Sequence, residues 1–246
     1  MKKNIIIGLF FVGVVVFAFI FGRQSMKEEP AQFVKDEPVQ NEPAKSEEKP
    51  VEAEKTGFRG TLEYVEGQVE KRMNENEEWK ISERGDVYAD GAEVRTSANS
   101  KAVLNFEDGS VARLDENTQV KIMSGDGNIT LVMPSGSVFN RVAKNASRQY
   151  IVSADGYDVK ALGTIFSVSK LKDANPEVMV LESQVEIKKD KSKLIGTLQK
   201  GEKASVLEDK ADKKKIAKAD LSKKFIAWSL EEEKLKAADF YVEEKD

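Results

Sequence analysis

Histidine and cysteine are both absent from this chain of 246 residues. Without histidine there is no imidazole to act as general base, metal ligand or switch near neutral pH. Without cysteine there are no disulfides, thiolate nucleophiles, thiolate metal sites or lipidated N-terminal cysteine. Basic excess is missing too: 39 Lys and Arg stand against 43 Asp and Glu, a net charge of −4, so nothing in the charge points to nucleic acid. Proline is scarce, and four of the six (Pro30, Pro38, Pro43, Pro50) crowd into residues 23–57. Charged residues make up 33% and hydrophobic ones only 40%, so part of the chain must be solvated and the apolar residues concentrated elsewhere.

One long uncharged apolar run is present. It begins at Ile5, after Lys2 and Lys3, and passes through Phe21 to Gly22. As a helix it would span about 27 Å, close to the hydrocarbon thickness of a bilayer. No small-residue cleavage triplet ends it, so residues 1–22 read as an uncleaved single-pass anchor rather than a signal peptide. The short N-terminus is expected inside and the remainder outside the cytoplasmic membrane. Residues 23–57 are rich in Pro, Glu and Lys without apolar period. They read as a disordered spacer reaching at most on the order of 100 Å.

From Phe58 the pattern changes to short alternating runs between turn residues. Asp90-Gly91, Asp108-Gly109 and Asp126-Gly127 recur every eighteen residues, with Asn99-Ser100, Asn117-Thr118 and Ser135-Gly136 roughly midway. Asp-Gly favours the type I′ hairpin turn, which needs φ > 0 at both central residues. Between the turns, Ala102, Leu104 and Phe106 share one face, as do Val120 with Ile122 and Ile129 with Leu131 and Met133; Arg113 and Lys121 take alternate positions. Further strands are expected at 149–153, 157–161, 164–170, 177–182, 184–189, 194–199 and 203–207. Val65-Glu66-Gly67-Gln68-Val69-Glu70 is echoed by Leu181-Glu182-Ser183-Gln184-Val185-Glu186, and Arg84-Gly85-Asp86 by Lys200-Gly201-Glu202. The expected fold over 58–207 is all-β: an antiparallel, elongated, repeat-like stack of short strands and hairpins. Residues 208–246 read as a helical segment. Leu221, Phe225, Trp228 and Leu235 predict one amphipathic helix over about 221–239, with the basic run Lys213-Lys214-Lys215 near its start.

The ordered set Asp90-Gly91, Arg95-Thr96, Ser100, Asp108-Gly109-Ser110-Val111, Leu114, Asn117-Thr118, Gly136-Ser137-Val138 and Gly163-Thr164-Ile165-Phe166-Ser167-Val168 resembles the FecR-type domain. The resemblance implies an extracytoplasmic all-β domain that binds partners rather than performing chemistry. It makes Asp108, Gly109, Ser110, Gly163, Thr164 and Phe166 structural motif positions. That pattern usually has Gly where this chain has Ser183. The family's transmembrane sigma regulators also carry a cytoplasmic domain before the membrane helix. Only Met1 to Asn4 precede the apolar run here, so the sigma-regulating role is not expected to carry over.

Candidate sites are weighed against structural roles. The Asp-Gly pairs lack the acid spacing of a calcium loop and read as turns. Ser167 with Lys170, and Ser169 with Lys172, have the spacing of a Ser-Lys dyad, but on a strand such positions face opposite sides. Tyr64, Trp79, Tyr88, Tyr150 and Tyr157 could stack on sugars, with core packing as the default. The stripe Leu221, Phe225 and Trp228 reads as core or, alternatively, as a partner surface. Phe166 is predicted to share a buried face with Thr164 and Val168, with Ile165 facing the other way. No catalytic, cofactor or metal residues, no cofactor and no small-molecule substrate are expected. The expected function is a non-catalytic protein-binding or signal-relay module that binds an envelope protein. The alternative is an adhesive envelope module binding peptidoglycan or glycan.

Overall fold

The computed structural model describes residues 58–241 apart from 126 and 146. The apolar run Ile5–Phe21 and the spacer lie outside the described residues. No helix among the described residues is long and apolar enough to cross a membrane.

Among the described residues, seventeen strands form one folded sheet in two layers. Across the first layer run β4 (Val87–Tyr88), β1 (Gly60–Glu66), β6 (Lys101–Phe106), β7 (Val111–Leu114) and the second half of β9 (Asn128–Arg141). Then follow β12 (Ile165–Lys170), β13 (Glu177–Glu182), β16 (Glu202–Leu207) and β17 (Lys210–Lys215). Across the second layer run β3 (Lys80–Ile81), β2 (Val69–Arg72), β5 (Glu93–Thr96), β8 (Gln119–Gly125) and the first half of β9. This layer continues through β10 (Tyr150–Ala154), β11 (Tyr157–Ala161), β14 (Gln184–Lys189) and β15 (Lys193–Gln199). Strand β9 passes through both layers. The pairings are antiparallel as expected except one: β10 runs parallel to β9, Tyr150 opposite Ile129.

The alternating residues of each strand explain the layering. Leu62, Leu104, Leu114, Phe166, Val168 and Val180 from the first layer meet Val94, Ile122, Leu131, Val152, Val159 and Ile187 from the second in one continuous core. Phe166 is fully buried there, edge-on to Tyr150, which is in turn edge-on to Phe106. Ile165 faces the other way.

Left-handed backbone positions move the chain from layer to layer. Gly67 (φ +74°), Asn99 (+54°), Asn117 (+53°), Gly163 (+70°) and Ser183 (+64°) each stand at such a crossing, and Gly136 (+105°) bends β9 from one layer into the other. Asn reaches this conformation more readily than most residues, and Gly freely. The midway turn residues of the sequence are therefore corners rather than hairpins. A side chain at Gly136 would overlap Thr118, whose hydroxyl instead accepts the Ser137 N–H at 3.0 Å.

The Asp-Gly pairs depart from the type I′ expectation. At Asp108-Gly109 only the glycine has positive φ, and Gly109 N–H donates to the Phe106 carbonyl, giving a type I turn followed by a left-handed glycine. Asp90-Gly91 joins β4 to β5, which lie in different layers, so it forms no hairpin. Gly127 stands in the β8–β9 connection with φ +76°, and Asp126 lies outside the described residues. Both residues of a further pair, Asp155-Gly156, have positive φ (+52° and +79°), and Ala154 pairs with Tyr157 around them, the I′ geometry.

The echoed segments are structural equivalents. Gly67 and Ser183 both carry the chain from first layer to second. Gly85 N–H donates to the Leu62 carbonyl at 2.8 Å, and Gly201 N–H to the Val180 carbonyl at 2.9 Å.

The C-terminal segment differs from the single predicted helix. Residues 210–215, Lys213-Lys214-Lys215 included, form edge strand β17 instead of a helix start. Helix α1 (Lys218–Leu221), helix α2 (Lys224–Glu232) and a 3₁₀ turn (Ala237–Asp239) follow. Gaps at Ser222-Lys223 and after Glu233 break the run. Lys234 takes a left-handed φ of +57°, and Leu235 N–H closes onto the Leu230 carbonyl, ending α2. The segment packs on the outer side of the first layer. Leu221, Phe225, Ile226, Leu230 and Phe240 bury Phe139, Ile165, Met179 and Leu181.

Candidate functional site

The C-terminal segment covers only part of the outer face of the first layer, and an open groove of about 1210 Å³ remains beside it. Strand register lines up the floor: Glu66 stands opposite Lys101, Ser137 opposite Ser169, Ser169 opposite Glu177 and Glu177 opposite Ser205. Asp115 joins this row through its N–H, which donates to the Ser137 carbonyl at 3.0 Å. With strands about 4.8 Å apart, the row extends from β1 to β16 across seven of them for roughly 29 Å. Corner residues Asn99, Asn117 and Ser135 form one wall, the loop Leu171–Asn175 another, and the start of α2 at Lys223 to Ile226 a third.

The floor is hydroxylated and its charges are mostly matched. Ser137 and Ser169 share a hydrogen bond of 2.7 Å between their hydroxyls. Lys101 holds Glu66 at 3.0 Å, and that contact, with the Tyr64 hydroxyl, keeps the Glu66 carboxyl below its usual range. Lys223 lies 3.3 Å from Glu177. Asp115 is pushed the other way: burial, with Glu116 adding to it, raises its carboxyl above the usual range despite an N–H bond from Glu116 and the nearby Lys101 and Lys224. Lys172 and Leu171 project at the rim, Leu171 being 58% exposed.

This arrangement can hold a polar, extended chain through hydroxyl and charged contacts. Among the described residues, Ser137 and Ser169 bond each other and meet no carboxylate. Lys170, the proposed dyad partner of Ser167, donates to the Ala174 carbonyl at 2.8 Å and sits near Asp155. No group of three or more acidic side chains among the described residues is placed to hold a metal ion.

The motif residues lie at the opposite ends of the same strands. Asp108 accepts the Ser110 N–H at 2.8 Å and its hydroxyl at 3.0 Å, while Ser110, fully buried, accepts the Ala143 N–H. Thr164 donates to the Gln184 carbonyl at 3.1 Å, and a Cβ on Gly163 would overlap Lys144. Together these contacts fix turns and a layer crossing. Leu221 and Phe225 are buried against the chain's own sheet, the core position of the two readings; Trp228 is half-buried, tilted against Tyr64 and Phe225 with Lys101 over its ring. Tyr88, Tyr150 and Tyr157 are buried, which leaves their rings no face for a sugar, while Trp79 is half-buried with the Arg72 and Arg95 guanidiniums over its ring. The groove itself had no sequence signal beyond isolated serines on strand faces; only the register brings them together.

Residues 92–186 match the family model described as FecR protein. No curated protein matches the chain. Two crystal structures of a "putative anti-sigma factor" from Parabacteroides distasonis, at 1.65 and 2.50 Å, are similar at 21% identity and a TM-score of 0.44. The matched region covers 50% of this chain and 59% of that one, so the likeness spans less than two thirds of the neighbour's length.

Proposed function

We propose that this chain, which carries a FecR domain at residues 92–186, is a non-catalytic binding and signal-relay module held outside the cytoplasm by an anchor at residues 5–22. The groove on the first layer is its binding surface, and an envelope protein is the partner. The observation that carries this reading is the row Lys101, Asp115, Ser137, Ser169, Glu177 and Ser205. It is a continuous strip of small hydroxyls and mostly matched charges, left open beside a covered apolar face. Such a strip suits a polar partner, and the chain has no histidine to serve as a general base there. The family match supports a regulatory rather than metabolic role.

The same hydroxyl strip also favours a second reading, a module adhering to peptidoglycan or another glycan. Two measurements on the full chain separate them. Isolated cell wall that sediments the chain, and fails to do so when Ser169→Arg blocks the strip, supports the glycan reading. Cross-linking of the groove to a discrete envelope protein, with no wall binding, supports the protein partner. The anchor is tested separately by protease added from outside, which is expected to cut within 23–57 and release a soluble domain. Protection of that domain until lysis would reverse the orientation.

A further inference from the structure

Helix α2 has its charges the wrong way round. Lys223 and Lys224 stand at its N-terminal end, where the helix dipole is positive, and the first turn has no acid. Glu231 and Glu232 stand at its C-terminal end, where the dipole is negative, and the last turn has no base. Its N-cap, Lys223, supplies no side-chain hydrogen bond. At nine residues it is also shorter than the roughly 12–15 needed for an isolated helix to persist in water. So α2 is helical because it is docked; Trp228 against Tyr64 and Lys223 beside Glu177 hold its groove side, and two further contacts hold the rest. Phe225, Ile226 and Leu230 bury the apolar outer face of Phe139, Ile165, Met179 and Leu181. Beyond them Glu233 bridges two strands, one carboxylate oxygen meeting the Arg113 guanidinium on β7 and the other meeting Arg141 Nε on β9 at 2.9 Å. Arg113 is only 6% exposed, and its Nε has no partner. The segment joins the sheet through an extended Ala217, without a helical connection to β17.

We propose that residues 218–240 are a releasable strap, and that the face beneath it is a second docking surface, for an amphipathic helix of a partner that carries a carboxylate at its C-terminal end. The face itself specifies that occupant. An apolar patch needs a stripe at helical spacing, and two guanidiniums, one of them buried, need an anion placed just past the stripe. The strap is the resident version of this ligand, held weakly because its own charges oppose its helix. A partner helix with basic residues in its last turn and acids in its first would displace it.

Hydrogen exchange on the full chain tests the strap. Amides of 225–233 are expected to exchange by local opening, faster than those of β9 and β12. Glu233→Gln should speed them at least tenfold and by more than it speeds those of β10 and β11, whereas Glu231→Lys, which puts a base in the last turn, should slow them several-fold. A labelled peptide of residues 217–241 then probes the face. It should bind the Glu233→Gln chain at least tenfold more tightly than the unsubstituted chain, and a peptide with Gln at 233 should bind much less. Strap amides that exchange only with the whole core, or that ignore both substitutions, would overturn the strap. Accelerated exchange in Glu233→Gln without peptide binding would overturn the docking surface. Concentration-dependent dimers in place of peptide binding would assign the face to a second copy's strap and equally overturn the partner helix.

Discussion

Arg113 and Glu233 meet across 120 residues of chain, their side chains 8% and 12% exposed. Removing the guanidinium leaves the Glu233 carboxylate under α2 with Arg141 alone. Arg113→Met is therefore expected to destabilise the fold by about 2–3 kcal/mol, the scale of a charge-assisted bond lost from a mostly buried site. Chemical denaturation of the full chain checks this. A midpoint within error of the parent would place the pair among surface bridges of little consequence.

Phe166 is expected to behave as a core residue. Phe166→Ala should cost roughly 3–5 kcal/mol, because the ring is fully buried and edge-packed on Tyr150. The same denaturation series reads it. A loss below about 1 kcal/mol would mean an exposed strand edge instead.

The corners make a paired prediction with opposite signs. Ser183 bears a left-handed φ of +64° where its equivalent is Gly67, so Ser183→Gly relieves backbone strain and should stabilise by roughly 0.5–1 kcal/mol. Gly136→Ala meets both a φ of +105° and the Thr118 backbone, and should destabilise by about 2–4 kcal/mol. If both substitutions shift the thermal midpoint the same way, the corner account fails.

Two ends of the pH scale give further tests. Burial pushes the Asp220 carboxyl up, but Lys203 at 2.7 Å, the Ala217 N–H and Lys223 together outweigh it and hold it below the usual 3.8. A depressed carboxyl stabilises the fold above its unfolded pKa, and that contribution is lost as pH falls below 3.8 through the folded value. Strap amides should therefore lose protection first on acidification, after correction for intrinsic exchange. Tyr88 behaves oppositely. Burial, reinforced by Asp86 and opposed by the Ser82 hydroxyl, raises its phenol from 10.0 to about 12. A raised phenol stabilises the fold below pH 10 and that share is lost between about 10 and 12. Ultraviolet titration of phenolate absorbance should show one tyrosine fewer ionising below pH 11 than in Tyr88→Phe plus one free tyrosine equivalent; normal titration of Tyr88 would contradict its burial.

Much of the strand pattern was readable from the sequence. Period-two alternation located 157–161, 177–182 and 184–189 to the residue, and predicted which way Phe166 and Ile165 point. What alternation cannot show is which layer a strand joins. That is decided at left-handed corners such as Asn99 and Asn117, which in sequence look the same as hairpin turns. Nor does alternation survive where both faces are covered. Val111 to Leu114 are all buried, Arg113 among them, because α2 lies over the side that reads as solvent. Strand β17, Lys-Ala-Asp-Lys-Lys-Lys, turns only Ala211 toward the core and is held as an edge by pairing with β16, so its composition resembled a solvated helix start. The groove was hidden for a related reason: Ser137, Ser169 and Ser205 are far apart in sequence and become one strip only through register.

The hydroxyl strip on the first layer is the proposed partner-binding surface. In-cell photo-cross-linking tests it most directly, with a photoreactive residue placed at Ser205 in the groove or at Lys160 on the outer side of the second layer. A discrete adduct to one envelope protein from position 205, lost on adding Ser169→Arg and absent from position 160, is the result expected. Equal adducts from both positions, or adducts from 160 alone, would contradict it.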